Sequence, residues 1–326
     1  MGKEVSKMVT TQVLRALLAA EGYVSGHALA QALGVSRNAV WKAVTALREE
    51  GCDIEAGTNR GYRLLALPQT LHAKTVQALC CAAQLGQAIT VLPTATSTNA
   101  LLREWAATGS VGGTVVATGH QTAGRGRRGR SFDSAVGGLY VSVLLRPQNW
   151  KGDASLITSC AAVAVARAIE RVCAVEVQIK WVNDLFVSGK KVCGILTEAG
   201  LDMETGELTY AVLGVGINTA KREFPAELQE IATSLGNLTG ADCDRNRLLA
   251  AILEELEPAL LQLEDGTFLE ESRRRSCVLG HTVMVHAAEG AYEAQAVDIT
   301  KNGHLLVKRA DGTLTALHSG EVSVRL

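Results

Sequence analysis

Apolar and polar positions along this chain follow three successive rhythms, and each predicts a different kind of segment. From Val9 to Ala20 the apolar residues Val13, Leu14, Leu17 and Leu18 fall on one helical face. Ser25 stands where an N-cap is needed for a second helix carrying Leu29, Ala32 and Leu33, which Gly34 breaks. Ser36 caps a third helix, Arg37 to Glu50, with Val40, Val44 and Leu47 turned inward, and Gly51 ends it. Two alternating runs, Cys52–Ala56 and Tyr62–Leu65, flank the Gly/Asn turn at 57–61 and predict a hairpin. Helix, short turn, helix and hairpin make a winged helix-turn-helix over residues 1–66. Pro68 marks a linker over 67–75.

The rhythm then changes. Residues 76–277 mix strand-like runs at 88–92, 114–118, 139–145, 177–181, 185–187, 192–197 and 209–215 with helices at 100–107, 154–172, 247–263 and 268–275. Many strands and few helices in irregular order favour an α+β mixed sheet over a doubly wound one. From 278 to 326 come short strands at 282–286, 292–300, 304–309 and 313–317. Turns at Glu289-Gly290, Asn302-Gly303 and Asp311-Gly312 separate them. This predicts a small SH3-like β-barrel, too short to stand alone and so packed on the middle segment.

With 326 residues, 47% of them hydrophobic, the chain has material for two or three cores. A net charge of −1 makes any nucleic-acid contact a local matter. Residues 1–66 carry eight basic and six acidic residues, a weak basic footprint. The exposed positions of the third helix, Arg37, Asn38, Trp41 and Lys42, are types that reach base edges or phosphates, and Arg60 tops the hairpin. A small helical domain that binds protein fits the same pattern. No apolar run approaches a membrane span of ~20 residues. The N-terminus has helical spacing rather than a signal peptide's apolar core, so the expected location is the cytoplasm. The eight cysteines form no C-x-x-C pair, and the seven histidines lack zinc-finger spacing. They read as reduced thiols packed as small hydrophobes.

Three motifs carry chemistry. In Gly124-Arg125-Gly126-Arg127-Arg128-Gly129-Arg130, four arginines spaced by glycines suit an anion-binding loop. Its text matches the dinucleotide-binding G-x-G-x-x-G, but no apolar helix follows, so a dehydrogenase is disfavoured. In Lys180-Trp181-Val182-Asn183-Asp184, a strand ends in polar residues, and the Gly189 turn brings the chain back through Lys191. A lysine facing a carboxylate-tipped strand suits phosphate and Mg²⁺; an ordinary salt-bridged hairpin suits the pattern equally. Gly214-Val215-Gly216-Ile217-Asn218 puts small residues where a flat ligand fits. No Walker A sequence occurs.

Together with Ser97-Thr98-Asn99 and Gln121, these motifs resemble, in order and over nearly the whole chain, the biotin protein ligase family. The winged helix in front is similar to its bifunctional members, the biotin operon repressors. The resemblance implies ATP-dependent ligation of biotin, through biotinyl-5′-AMP, to a lysine of biotin carboxyl carrier protein. It also implies repression of biotin synthesis genes at operator DNA by a ligand-promoted homodimer. Biotin, ATP and Mg²⁺ are the implied small molecules. By the same resemblance Ser97, Thr98, Asn99, Gln121, Arg125, Gly126, Arg127 and Lys191 contact biotin. Arg125, Arg127, Arg128, Arg130, Phe132, Asn183, Asp184 and Asn218 serve the nucleotide. Lys191 and Arg125 are catalytic, Asp184 is the metal ligand, and Arg37, Asn38, Trp41, Lys42 and Arg60 meet DNA. Two departures stand out: Val182 replaces the family's usual Pro, and Phe132 a frequent Trp. The competing readings are a non-catalytic biotin-sensing repressor and a lipoate-type ligase.

Overall fold

In the computed structural model, which describes residues 2–202, 204–287, 290–318 and 321–324, the first three helices are α1 (Gly2–Leu18), α2 (Gly26–Leu33) and α3 (Arg37–Glu49). The Ser25 and Ser36 hydroxyls accept from the Ala28 and Ala39 amides at 3.0 and 3.1 Å, as N-caps do. Gly34 ends α2 at φ 65°, left-handed backbone that glycine adopts without strain. Val13, Leu14, Leu17, Leu29, Val40, Val44 and Leu47 pack together as a separate core. The predicted hairpin is β1 (Asp53–Gly57) with β2 (Gly61–Ala66), antiparallel.

The expected linker is fastened down. α4 (Ala73–Leu79) begins inside it, and Leu71 and Pro68 are buried. The wholly buried Asn246 donates to the Pro68 and Thr70 carbonyls at 3.1 and 3.0 Å and accepts from the His72 amide at 2.8 Å. Arg15 of α1 donates to the Gln77 carbonyl at 2.7 Å, near the end of α4, and Lys74 pairs with Glu50. Pro68 marks the linker locally, whereas the residue that holds it, Asn246, lies 174 positions past His72.

The middle of the chain runs β3 (Ile89–Leu92), α5 (Thr98–Ala107), β4 (Val115–Thr118), β5 (Leu139–Leu145), α6 (Ile157–Cys173), β6 (Gln178–Lys180), β7 (Asp184–Val187), β8 (Lys190–Leu201), β9 (Leu208–Ile217), α7 (Leu235–Thr239), α8 (Arg245–Leu261) and α9 (Phe268–Arg274). The sheet order is β3-β4-β5-β9-β8-β7-β6. β3 and β4 are parallel and the other neighbours antiparallel, so the sheet is mixed, as expected. α6 and α8 share the large core behind it with Val115, Ala117, Val141, Val143 and Leu145. Burial from Ile157 to Ala166 explains why the first part of α6 is largely apolar, while Arg167 and Arg171 stay exposed and pair with Glu271 and Glu254. On the other face α5 packs Leu102 and Ala106 on Val116, Leu144 and Val212. That cover is partial, and it leaves the row bearing Tyr140 and Ser142 for a cleft.

The last strands are β10 (Thr282–Ala287), β11 (Gly290–Ile299), β12 (Leu305–Arg309), β13 (Leu314–Leu317) and β14 (Glu321–Val324). Their order is β13-β12-β11-β10-β14, all antiparallel. Among the described residues these strands form one antiparallel sheet, and no ladder joining β13 to β14 closes it into the expected SH3-like barrel. Short apolar alternation fixes strands and hairpins; closure depends on register between the first and last, which no local pattern encodes. β14 was not anticipated, and the predicted turn at Glu289-Gly290 falls partly outside the described residues. The sheet packs on the middle segment as expected: Val283, Val285, Ile299 and Leu305 join the core of Leu156 and Ile179.

Candidate active site

Strand register explains where the cleft lies. Asp184 pairs with Gly194, Gly194 with Gly216, and Gly216 with Tyr140, one row across four strands. The next row sets Leu196 beside Gly214 and Gly214 beside Ser142. The glycines in these rows leave the sheet surface bare, and a cleft open to solvent rests on it. A Cβ on Gly194 or Gly216 would meet the Phe132 ring at 2.9 or 2.7 Å, and one on Gly214 would meet Asn99 Oδ1 at 2.2 Å. These glycines therefore seat Phe132 and Asn99 as well as leaving room for a ligand.

The expected hairpin of β7 and β8 turns at Ser188 and Gly189, both at positive φ. It brings Lys191 Nζ to 2.7 Å from Asp184 Oδ1 and 5.6 Å from the centre of the Phe132 ring. Asp184 Oδ1 is buried and is held by this ion pair, with no hydrogen bond of good geometry among the described residues. Behind Lys191, Cys193 is wholly buried, and burial pushes its thiol far up, which keeps it protonated and unreactive. Burial likewise raises Tyr140, whose hydroxyl donates to the Ala135 carbonyl at 2.9 Å.

At the other end of the cleft, Ser97 caps α5, accepting from the Ala100 amide at 3.4 Å. α5 therefore begins at Thr98, earlier than its apolar pattern suggests. Gln121 Oε1 accepts from the Thr98 amide at 2.8 Å, and Gln121 Nε2 donates to Ser134 at 3.0 Å. Two residues not singled out from sequence complete this network. Ser142, fully buried, lies 2.7 Å from Thr98 Oγ1 and 2.6 Å from Asn99 Oδ1. Glu198 accepts from Asn99 Nδ2 at 2.8 Å and pairs with Arg103. A lone serine inside the apolar run Leu139–Leu145 was the available signal for the first; nothing local marks Glu198.

The arginine loop closes on itself. The Gly126 amide donates to Arg130 at 2.7 Å, and Phe132 to the Gly124 carbonyl at 3.0 Å. A Cβ on Gly124 would lie 2.2 Å from Ser134 Oγ. Arg127 reaches across to Asn183 Oδ1 at 3.1 Å. Arg125, Arg128 and Arg130 are exposed at the rim. No helix follows Gly129, which removes the dehydrogenase reading. Of the expected cleft residues, Asn218 alone stays outside the lining. Its side chain donates to the Thr233 carbonyl at 3.1 Å and ties the end of β9 to a neighbouring loop.

Far from the cleft, Arg37, Asn38, Trp41 and Lys42 share the exposed face of α3, with Trp41 55% exposed. Arg60 stacks 4.2 Å above the Tyr23 ring at the hairpin tip.

The biotin/lipoate A/B protein ligase family matches residues 91–218, a helix-turn-helix domain residues 9–63, and the biotin protein ligase C-terminal domain residues 278–325. The bifunctional ligase/repressor BirA of Bacillus subtilis is 33% identical over 310 residues, 93% of this chain and 94% of its own. That of Escherichia coli is 32% identical over 96% of both. The chain belongs to the family of bifunctional biotin ligase/repressors. Biotin protein ligase from Aquifex aeolicus, solved with biotin and ATP, superposes with a TM-score of 0.64 at 30% identity, covering 73% of this ligase and 99% of that chain. This ligase is an enzyme with a helix-turn-helix in front, and among its described residues no helix is long and apolar enough to cross a membrane.

Proposed function

We propose that this ligase activates biotin with ATP as biotinyl-5′-AMP, transfers biotin to a lysine of a biotin carboxyl carrier domain, and represses transcription from operator DNA. The observation that carries the chemistry is the Lys191–Asp184 pair on the glycine floor, beneath a rim of arginines. A carboxylate attacking a triphosphate brings two anions together, and fixed cations in a part-buried cleft lower that barrier.

In this reading Ser97, Thr98, Asn99 and Gln121 hold biotin's polar head, and Lys191 and Arg125 hold its carboxylate against the α-phosphate. A carboxylate oxygen bonds to the α-phosphorus and pyrophosphate leaves. The carrier lysine amine then attacks the acyl carbon, AMP leaves, and the proton passes to solvent. Arg127, Arg128 and Arg130 neutralise phosphates, Gly126 lets the loop approach, and Phe132 and Asn183 flank the nucleotide. Asn218 acts from behind, by holding the strand end. The Asp184 carboxylate, paired with Lys191 and lining the cleft, is of the donor type that would hold Mg²⁺, which takes one or two carboxylates beside substrate phosphates. Bound Mg²⁺ would supply further charge neutralisation. Residues 1–66, 76–277 and 278–326 act as DNA-binding, catalytic and C-terminal units. The working location is the cytoplasm, where ATP, carrier and operator meet.

The deciding experiment is biotin transfer to a purified carrier domain with ATP and Mg²⁺. Wild type labels the carrier; Lys191→Ala lowers the rate by about 10²–10³-fold. Biotin binding without any labelling by wild type would leave a ligand-sensing repressor instead. For regulation, a two-fold homodimer presents paired α3 helices to two operator half-sites. Adding biotin and ATP is therefore expected to tighten operator binding and raise the dimer fraction in sedimentation; unchanged affinity would remove the co-repressor role.

A further inference from the structure

Two thiols that the ligation does not use face each other behind the sheet. Cys173 is the last residue of α6, and Cys243 directly precedes Asp244, the N-cap of α8. Their sulfurs are 2.9 Å apart, about 1 Å more than a disulfide bond. Both are half-buried rather than sealed in the core, so a small reagent can reach them. Neither lines the cleft. The place matters because α8 begins with Arg245 and Asn246. Arg245 donates to the Gln69 carbonyl at 3.4 Å, and Asn246 holds Pro68, Thr70 and His72. The start of α8 is thus the clamp on the segment joining the helix-turn-helix to the catalytic sheet.

We infer that Cys173 and Cys243 are a redox-responsive pair that closes to a reversible disulfide, stapling α6 to α8 and stiffening the clamp on residues 68–72. The inference stands independently of the ligation chemistry. The hydrogen bond the two thiols share holds Cys173 below the usual thiol range against the effect of burial, whereas that bond and burial raise Cys243. Cys173 is therefore the first to react. With a small-molecule disulfide such as oxidised glutathione, the Cys173 thiolate attacks one sulfur and expels a glutathione thiolate. Cys243 gives up its proton, attacks the Cys173 sulfur of the mixed disulfide and expels the second glutathione. The protein loses two protons and two electrons, and the oxidant becomes two glutathione thiols.

The test is full-length protein oxidised with glutathione disulfide, alkylated and digested with trypsin without reduction. Cleavage after Arg171, Lys180, Arg222 and Arg245 leaves peptides 172–180 and 223–245, each with one cysteine. The expected product is these two peptides linked, separating on reduction. Oxidation is expected to raise the Tm of wild type by about 3 °C or more, and to leave that of Cys173→Ser unchanged. Hydrogen exchange at the His72 amide is expected to slow by about twofold or more in the oxidised protein. Separate alkylation or separate glutathione adducts on the two wild-type peptides would overturn the pairing. Unchanged His72 exchange in the linked protein would overturn its effect on the clamp.

Discussion

The α3 face and the cleft are functional surfaces of contrasting construction. The former takes Arg37, Asn38, Trp41 and Lys42 from one stretch of helix, over a core that the N-terminal helices largely build themselves. The latter gathers Ser97–Asn99, the loop from Gln121 to Phe132, Lys180–Asp184, Lys191–Leu196 and Gly214–Gly216 onto one sheet surface. A contiguous surface needs only capping and an amphipathic pattern. A dispersed one needs the sheet in register, because slipping a strand by one residue turns its side chains to the opposite face. Damage to the first should therefore stay local, while the second should respond to residues that never touch substrate.

The largest expected contrast comes from Lys191→Ala, which removes nearly all carrier labelling but leaves operator binding of the ligand-free protein at the wild-type level; a parallel loss of DNA binding would show that the two surfaces are not separable. Ser142→Ala is next. It strips Thr98 and Asn99 of a buried partner, and the expected cost is about 1–3 kcal/mol, roughly 5- to 150-fold in biotin Kd by calorimetry. An unchanged Kd would show that the network does not position those groups. Arg37→Ala should weaken operator binding by about 1–3 kcal/mol if it reads a base, or lower the salt slope by about one if it meets a phosphate, with carrier labelling untouched in either case. The smallest effect is that of Ser36→Ala, which removes the cap of α3 and should cost about 1 kcal/mol of stability, seen as a lower Tm with unaltered biotin transfer. Loss of transfer in that variant would contradict the locality of the N-terminal unit.

The same contrast separates what was legible in the chain from what was not. Ser25, Gly34 and Ser36 mark helix ends through bonds to backbone four residues away or less, so the winged helix-turn-helix could be read directly. The pairing of Asp184 with Lys191 was legible because a tight hairpin joins them. The arginine loop was legible because four arginines so spaced cannot be core. The family resemblance places Asn218 at the nucleotide, and the structure shows its amide donating to the Thr233 carbonyl, a contact 15 positions away that no local pattern reports. The clamp by Asn246, the support of Asn99 by Glu198 and the contact of Cys173 with Cys243 join residues roughly 70 to 180 positions apart, and no local pattern reports them.

The sequence by itself determined the element types, the three stretches of the chain and the chemical character of the cleft, because caps, turns and hydrophobic periods act over a few residues. Only the tertiary structure decided which glycines lie under Phe132, that the linker is fastened and in what order the C-terminal strands pair. Those outcomes depend on strand register and on contacts between distant segments, which form only when the whole core closes.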